Sequence, residues 1–257
     1  MNWRRSLVLM RWRLLQSFIP RRKVDSRGLR FTLQCDNWIT HERWATFDRR
    51  EPETLEWIDT AMRGGDLLLD VGANIGVYSL YAALRHPGAR VIAIEPEYAN
   101  LHLLRDNILQ NGLKDRIEVY SIALSNHSGL SRLHIQDPTP GASMHTESRE
   151  ALVRTRMKDP VIWSEGVAAL TLDALCERLD LEPDCLKIDV DGTEAEILEG
   201  ASKALRSERL RSISIEMPYD PAARERCGEL LRASGWRCSR RDPARGTPNE
   251  IWGRGSS

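Results

Sequence analysis

The chain has 257 residues, 37 Lys and Arg against 37 Asp and Glu, and 41% hydrophobic residues. It is long enough for one continuous α/β core, and its zero formal charge supplies no global field toward nucleic acid, so none is expected as a partner. Five scattered cysteines (Cys35, Cys176, Cys185, Cys227, Cys238) without a C-x-x-C pair argue against a disulfide framework and a zinc site, and no apolar run is long enough to span a membrane, so a cytoplasmic location is expected.

Residues 1–30 carry nine basic residues (Arg4, Arg5, Arg11, Arg13, Arg21, Arg22, Lys23, Arg27, Arg30) against Asp25 alone. With Trp3, Trp12 and Phe18 interleaved, this basic arm reads either as an amphipathic helix touching a protein or the inner face of a membrane, or as a plain N-terminal extension. Residues 31–64 form a cover segment, with a strand over 30–33 and a helix over 52–62 lying on the sheet edge. From residue 65 to the end, short β-rich runs alternate with helical patterns, as in a parallel sheet wound with crossover helices. Strands are expected at 67–71, 90–95, 117–123, 129–135, 185–190 and 211–217, with a closing pair after Gly235-Trp236 that ends over 250–252. Helices are expected at 77–84, 98–110, 172–179, 193–205 and 222–234. The second of these stops at Asn111-Gly112, and Thr171 caps the third. Between them, 137–168 is a loop insertion, with a short helix around 148–154; a loop of that length is functional or disordered.

The chemistry concentrates where the first of these strands ends. Asp70-Val-Gly-Ala-Asn-Ile-Gly76 follows an apolar strand and opens a helix, and Gly72 and Gly76 let backbone approach a ligand. The spacing is G-x-x-x-G, without the middle glycine that admits a dinucleotide pyrophosphate. A carboxylate at Asp70 suits a cationic ligand, and Glu95, at the end of the second main strand, is placed to accept both ribose hydroxyls. A nicotinamide-dependent oxidoreductase and a non-catalytic nucleotide-binding scaffold remain the rival readings.

That loop with Asn74, then Ile94-Glu-Pro96, Asn107 with Asn111-Gly112, Ala123-Leu-Ser125, Thr171-Leu-Asp173 and Leu186-Lys-Ile-Asp-Val-Asp-Gly-Thr-Glu194 together resemble the FkbM family of methyltransferases over about residues 45–217. The resemblance implies a class I, Rossmann-like methyltransferase fold, α/β and doubly wound on a mostly parallel seven-stranded sheet. It also implies S-adenosylmethionine as donor and a hydroxyl of a sugar, polyketide or similar metabolite as acceptor. The chain departs from the family at Asp191, where Glu is common, and its basic arm has no counterpart there.

Within residues 187–191, alternation puts Lys187, Asp189 and Asp191 on one face. Lys187 reads as a buried counter-charge for Asp70 or Glu216. Asp189, beside the donor, is the leading candidate to take the acceptor's proton, against merely positioning substrate; Asp191 is second. Glu194 either lines the acceptor pocket or only complements its helix dipole. Ser121 and Ala123 either border the adenine or simply pack. His127, His134 and His145 read as loop histidines, His145 being the one set in a lid and a candidate to touch substrate. Asp189, Asp191 and Glu194 define no specific metal site.

Overall fold

The structure is a computed structural model describing residues 20–143, 145–147, 160–241 and 249–254, with Val8, Met10, Arg11 and Phe18. The helix expected around 148–154 and most of the basic arm lie outside the described residues.

A hairpin comes first, β1 (Arg21–Ser26) and β2 (Leu29–Gln34), turned by Arg27 and Gly28, both at positive φ. The arm therefore enters the fold at Arg21, and the strand expected at 30–33 has a partner that alternation alone did not reveal. Three helices follow: α1 (Trp38–Ala45), α2 (Phe47–Arg50) and α3 (Pro52–Ala61). The wound region contains β3 (Leu67–Val71), α4 (Val77–Arg85), β4 (Arg90–Ile94), α5 (Tyr98–Gln110) and β5 (Ile117–Tyr120). Next come β6 (Ala123–Leu124), β7 (Gly129–Ile135), β8 (Trp163–Leu170), α6 (Leu172–Leu179), β9 (Cys185–Ile188) and α7 (Glu194–Glu199). The chain closes with β10 (Ser212–Glu216), α8 (Pro221–Ala233), β11 (Trp236–Arg241) and β12 (Asn249–Arg254).

Seven strands form the main sheet in the order β11-β12-β10-β9-β3-β4-β5, with β12 antiparallel to both neighbours and β3, β4, β5, β9 and β10 mutually parallel. Parallel strands covered on both faces read as continuous apolar runs, and all five residues of β3 are buried. Alternation divides them. Leu68 joins a core with Leu55, Ile58, Tyr81 and Leu103 under α3, α4 and α5, whereas Leu67, Leu69 and Val71 join the opposite core with Leu172, Ile197 and Leu231 under α6, α7 and α8. Successive strands step one way from β3 to β4 and β5 and the other way to β9 and β10. The strand order thus reverses at β3, and a crevice opens past the carboxyl ends of β3 and β9.

Four expectations are corrected. The third main strand, expected to run to Ala123, stops at Tyr120; Ala123 belongs to β6, in a separate three-stranded sheet ordered β6-β8-β7. The loop insertion gives way at Trp163 to β8, missed because Gly166 interrupts the pattern and, of its eight residues, only Val167 and Ala169 are buried. The helix expected to reach residue 205 ends at Glu199, capped by Gly200, a helix-weakening residue required there because a side chain would collide with the Ser125 carbonyl. The residues beyond turn into a separate 3₁₀ turn, Ala204–Arg206. Finally, α3 lies over β10 and β12 and not along an edge: Trp57 Nε1 donates to Ser212 Oγ (2.8 Å), and Asn249 Nδ2 to Glu53 Oε1 (3.0 Å).

Candidate active site

A cavity of about 530 Å³ occupies the crevice, within the usual range for small-ligand sites. Its floor is the β3–α4 loop. Gly72 lines it at φ +79°, and a Cβ there would strike the Asp189 carbonyl, so the two loops touch backbone to backbone. The sequence placed that constraint on the ligand's side; the structure places it on the protein's. Gly76, at φ +86°, does not line the cavity; a side chain there would run into Leu104 of α5. Asn74 lines the cavity at φ +51°, donates its backbone N–H to Glu95 Oε2 (2.8 Å), and with its side chain grips the Ala142 carbonyl (2.8 Å).

Glu95 is held at both oxygens, Oε1 accepting from Glu97 N (2.9 Å). Burial raises its pKa to about 7, against the pull of those two backbone donors. Asp70 lies behind the loop, fully buried and outside the cavity lining, where Ser79 Oγ donates to Oδ2 (2.5 Å). Lys187 Nζ stands 3.7 Å from Asp70 Oδ1 and 2.8 Å from Asp189 Oδ2. The expected counter-charge for Asp70 is therefore present, and the second partner is Asp189 and not Glu216.

Asp189 follows β9 directly and lines the cavity. Burial alone would raise its pKa, but Lys187 and a hydrogen bond from Glu216 outweigh it and hold Asp189 well below the usual carboxylate range. Glu216, at the end of β10, carries the proton of this pair, pushed up by burial and by the Asp189 charge; two carboxyls in contact cannot both ionise. Asp191 and Glu194 line the cavity beside them. Glu194 Oε1 accepts from Gly192 N (3.2 Å), while Oε2 is buried with no hydrogen-bond partner. An orphaned acceptor in a cavity wall is what a ligand bearing N–H or O–H groups would satisfy.

Residues 139–143 and 145–147 form a roof over the cavity. Asn100 of α5 donates to Ala142 O (3.1 Å) and accepts from Gly141 N (2.6 Å); Arg43 Nε donates to Gly141 O (2.7 Å) and Asn37 Nδ2 to Pro140 O (2.9 Å). His145 lines the cavity from this roof, its N–H on Asp191 Oδ2 (3.1 Å) and its ring nitrogens shut from solvent without a well-formed hydrogen bond. Burial lowers its pKa to about 4 and keeps it neutral.

Other sequence-selected residues stand elsewhere. Ser121 is exposed, Ala123 packs in the small sheet, and neither lines the cavity. His127 is on the surface near Glu147 (3.6 Å). His134 is buried in β7, with Nδ1 2.8 Å from Ser164 Oγ, and is not a loop histidine. Conversely, Arg43, Arg50, Glu51, Asn100 and Glu216 all line the cavity without having been singled out as site residues. Glu51, the N-cap of α3, accepts from Thr54 Oγ1 (3.0 Å) and from the Tyr78 hydroxyl; burial, with Asp189 close by, raises its pKa to about 7. No local motif marks Arg43, Arg50 and Glu51, because the cover segment reaches the site only through the tertiary fold.

The wall is therefore acid-rich and lies at a topological switch point, and residues 70–234 match the model of the methyltransferase FkbM domain. The chain belongs to the FkbM methyltransferase family. This membership removes the nicotinamide-dependent alternative. The methyltransferase is 29% identical to the 31-O-demethyl-FK506 methyltransferase FkbM of Streptomyces tacrolimicus, over 68% of this chain and 74% of that one. It is 28% identical to the methyltransferase sdnD of Sordaria araneosa (72% and 78%) and 27% identical to the hexuronic acid methyltransferase AglP of Haloferax volcanii (77% and 75%). The fold is shared with a putative rRNA-methylase from Clostridium thermocellum, at TM-score 0.50 and 12% identity over 80% of this chain and 96% of that one.

Proposed function

We propose that this methyltransferase moves a methyl group from S-adenosylmethionine to an oxygen of a small-molecule or glycan acceptor. The observation that carries this reading is the acid-lined cavity built on Glu95, fixed by two backbone N–H groups and facing the β3–α4 loop. The residues fit the donor. Glu95 retains lone pairs for two ribose hydroxyls, the Glu194 oxygen lacks a partner, and the ionised Asp189 favours a cation. When bound, the donor supplies a methyl group made electrophilic by its sulfonium. The methyltransferases of Streptomyces tacrolimicus and Haloferax volcanii, named for 31-O-demethyl-FK506 and a hexuronic acid, support oxygen as the accepting atom.

Asp189 and Glu51 divide the remaining work. Asp189, pinned by Lys187, is a fixed negative charge and a weak proton acceptor. Glu51, half ionised near neutrality, is the better matched base for an acceptor hydroxyl, since catalytic groups work best with a pKa near the operating pH. Glu216 and Lys187 keep Asp189 ionised and in place. Calorimetry with S-adenosylmethionine and with NAD, followed by methyl transfer to a panel of sugars and hydroxylated metabolites, tests the proposal. Donor binding with transfer to an acceptor oxygen is expected. Binding of NAD alone, or donor binding without transfer to any acceptor, would overturn it, the latter in favour of a scaffold.

A further inference from the structure

Two guanidinium groups face the same cavity. Arg43 comes from α1 and Arg50 from the end of α2, in the cover segment that lies before the matched family domain. Among the described residues neither forms an ion pair, and the one side-chain hydrogen bond of Arg43 runs from Nε to Gly141 O. That bond fixes the edge of the guanidinium and, among the described residues, leaves its terminal nitrogens without a hydrogen-bond partner. The neighbouring acids are already engaged: Asp189 by Lys187 and Glu216, Glu51 by Thr54 and Tyr78. Burial, and after it the adjacent Arg50 charge, push Arg43 below its ordinary pKa, against the upward pull of the Asp189 and Glu51 charges.

The donor does not neutralise this pair, because its methionine end is zwitterionic and its sulfonium adds a further positive charge. A planar guanidinium matches a carboxylate or phosphate through two parallel hydrogen bonds.

We propose that the acceptor carries an anionic group, a carboxylate or a phosphate, held by Arg43 and Arg50 while a neighbouring oxygen is methylated; this rests on the methyl-transfer reading above. The cover segment is then the specificity element of the enzyme.

The test is calorimetry on full-length protein saturated with S-adenosylhomocysteine, titrated with glucuronate, glucose 6-phosphate and glucose. At least one acid should bind about tenfold more tightly than glucose, and whichever binds better identifies the group as carboxylate or phosphate. Arg43→Gln and Arg50→Gln should each weaken that acid about tenfold, leaving S-adenosylhomocysteine affinity within about threefold of wild type. Equal or absent binding of acids and glucose, or variants that bind the acid like wild type, would overturn the proposal. A loss of S-adenosylhomocysteine affinity in Arg43→Gln would also overturn it, by placing the guanidinium on the donor's own carboxylate. Failure of the wild type to bind S-adenosylhomocysteine would instead remove the methyl-transfer reading, and this proposal with it.

Discussion

Asp189 and Glu51 are carboxyl groups in one cavity with opposite electrostatic surroundings, and a pH profile separates them. A base must be ionised to take a proton, so a rate that depends on Glu51 rises with pH through about 7. Glu51→Gln should lower kcat by roughly 10²–10⁴ and abolish that acid limb. Asp189→Asn should lower kcat while the limb persists. The reverse pattern, with the limb lost in Asp189→Asn and kept in Glu51→Gln, would return the proton to Asp189. Glu95 makes a second pH prediction. Its pKa of about 7 lies above the ordinary glutamate value, and the ribose hydroxyls favour the carboxylate. Donor binding should therefore tighten as pH rises through about 7, with release of a proton, and Glu95→Gln should flatten the dependence. The same shift has the opposite sign for folding: the buried neutral form stabilises the ligand-free protein below about 4.5, and that contribution is lost as pH rises through about 7. Much of this chemistry was visible as residue types at strand ends. Glu51, Arg43 and Arg50 were not, since they stand in an unremarkable helical stretch far from every motif and acquire meaning only by packing above β9 and β10.

At the scale of elements, the roof and the β3–α4 loop are coupled through two asparagines. Asn100 and Asn74 both hold the Ala142 carbonyl, and Asn100 also receives Gly141 N–H. Asn100→Ala removes two of these bonds at once, each worth about 0.5–1.5 kcal/mol. It should loosen residues 139–143 and weaken donor binding severalfold, with little change in global stability. Faster amide exchange at Gly141 and Ala142 would report the loosening; unchanged exchange and unchanged donor affinity would show that the roof is held by other means. Alternation and capping made most elements legible, α5 and its Asn111-Gly112 stop among them. They failed where tertiary contacts decide the boundary: β8, half exposed and broken by Gly166, and α7, stopped where Gly200 presses on the Ser125 carbonyl.

Across the whole molecule, the acids at the two ends of the sheet serve different purposes. At the amino ends, Arg211 reaches Asp66 (2.5 Å) and Asp184 (3.6 Å), which in turn accept from Arg63 N and Leu67 N at 2.8 Å. Removing Arg211 leaves the nearly buried Asp66 without a cation and leaves Asp184 with Arg209 (3.2 Å) alone. Arg211→Ala should cost about 2–3 kcal/mol in urea unfolding, with the slope unchanged, while donor affinity at the far end holds. A loss of donor affinity without loss of stability would contradict this division.

The hairpin carries a different consequence. One side of β2 is paired by β1, and on the other the polar backbone of a sheet edge would stand open. There Asn111 and Asn107 accept from Thr32 N (2.8 Å) and Gln34 N (2.9 Å), while Asn111 and Gln110 donate to the Thr32 carbonyl. Three amide side chains of α5 and its cap thus imitate an adjoining strand. An uncovered edge is a template for a second chain, so replacing Asn107 and Asn111 should appear first as self-association on storage or heating, before any loss of catalysis is measured.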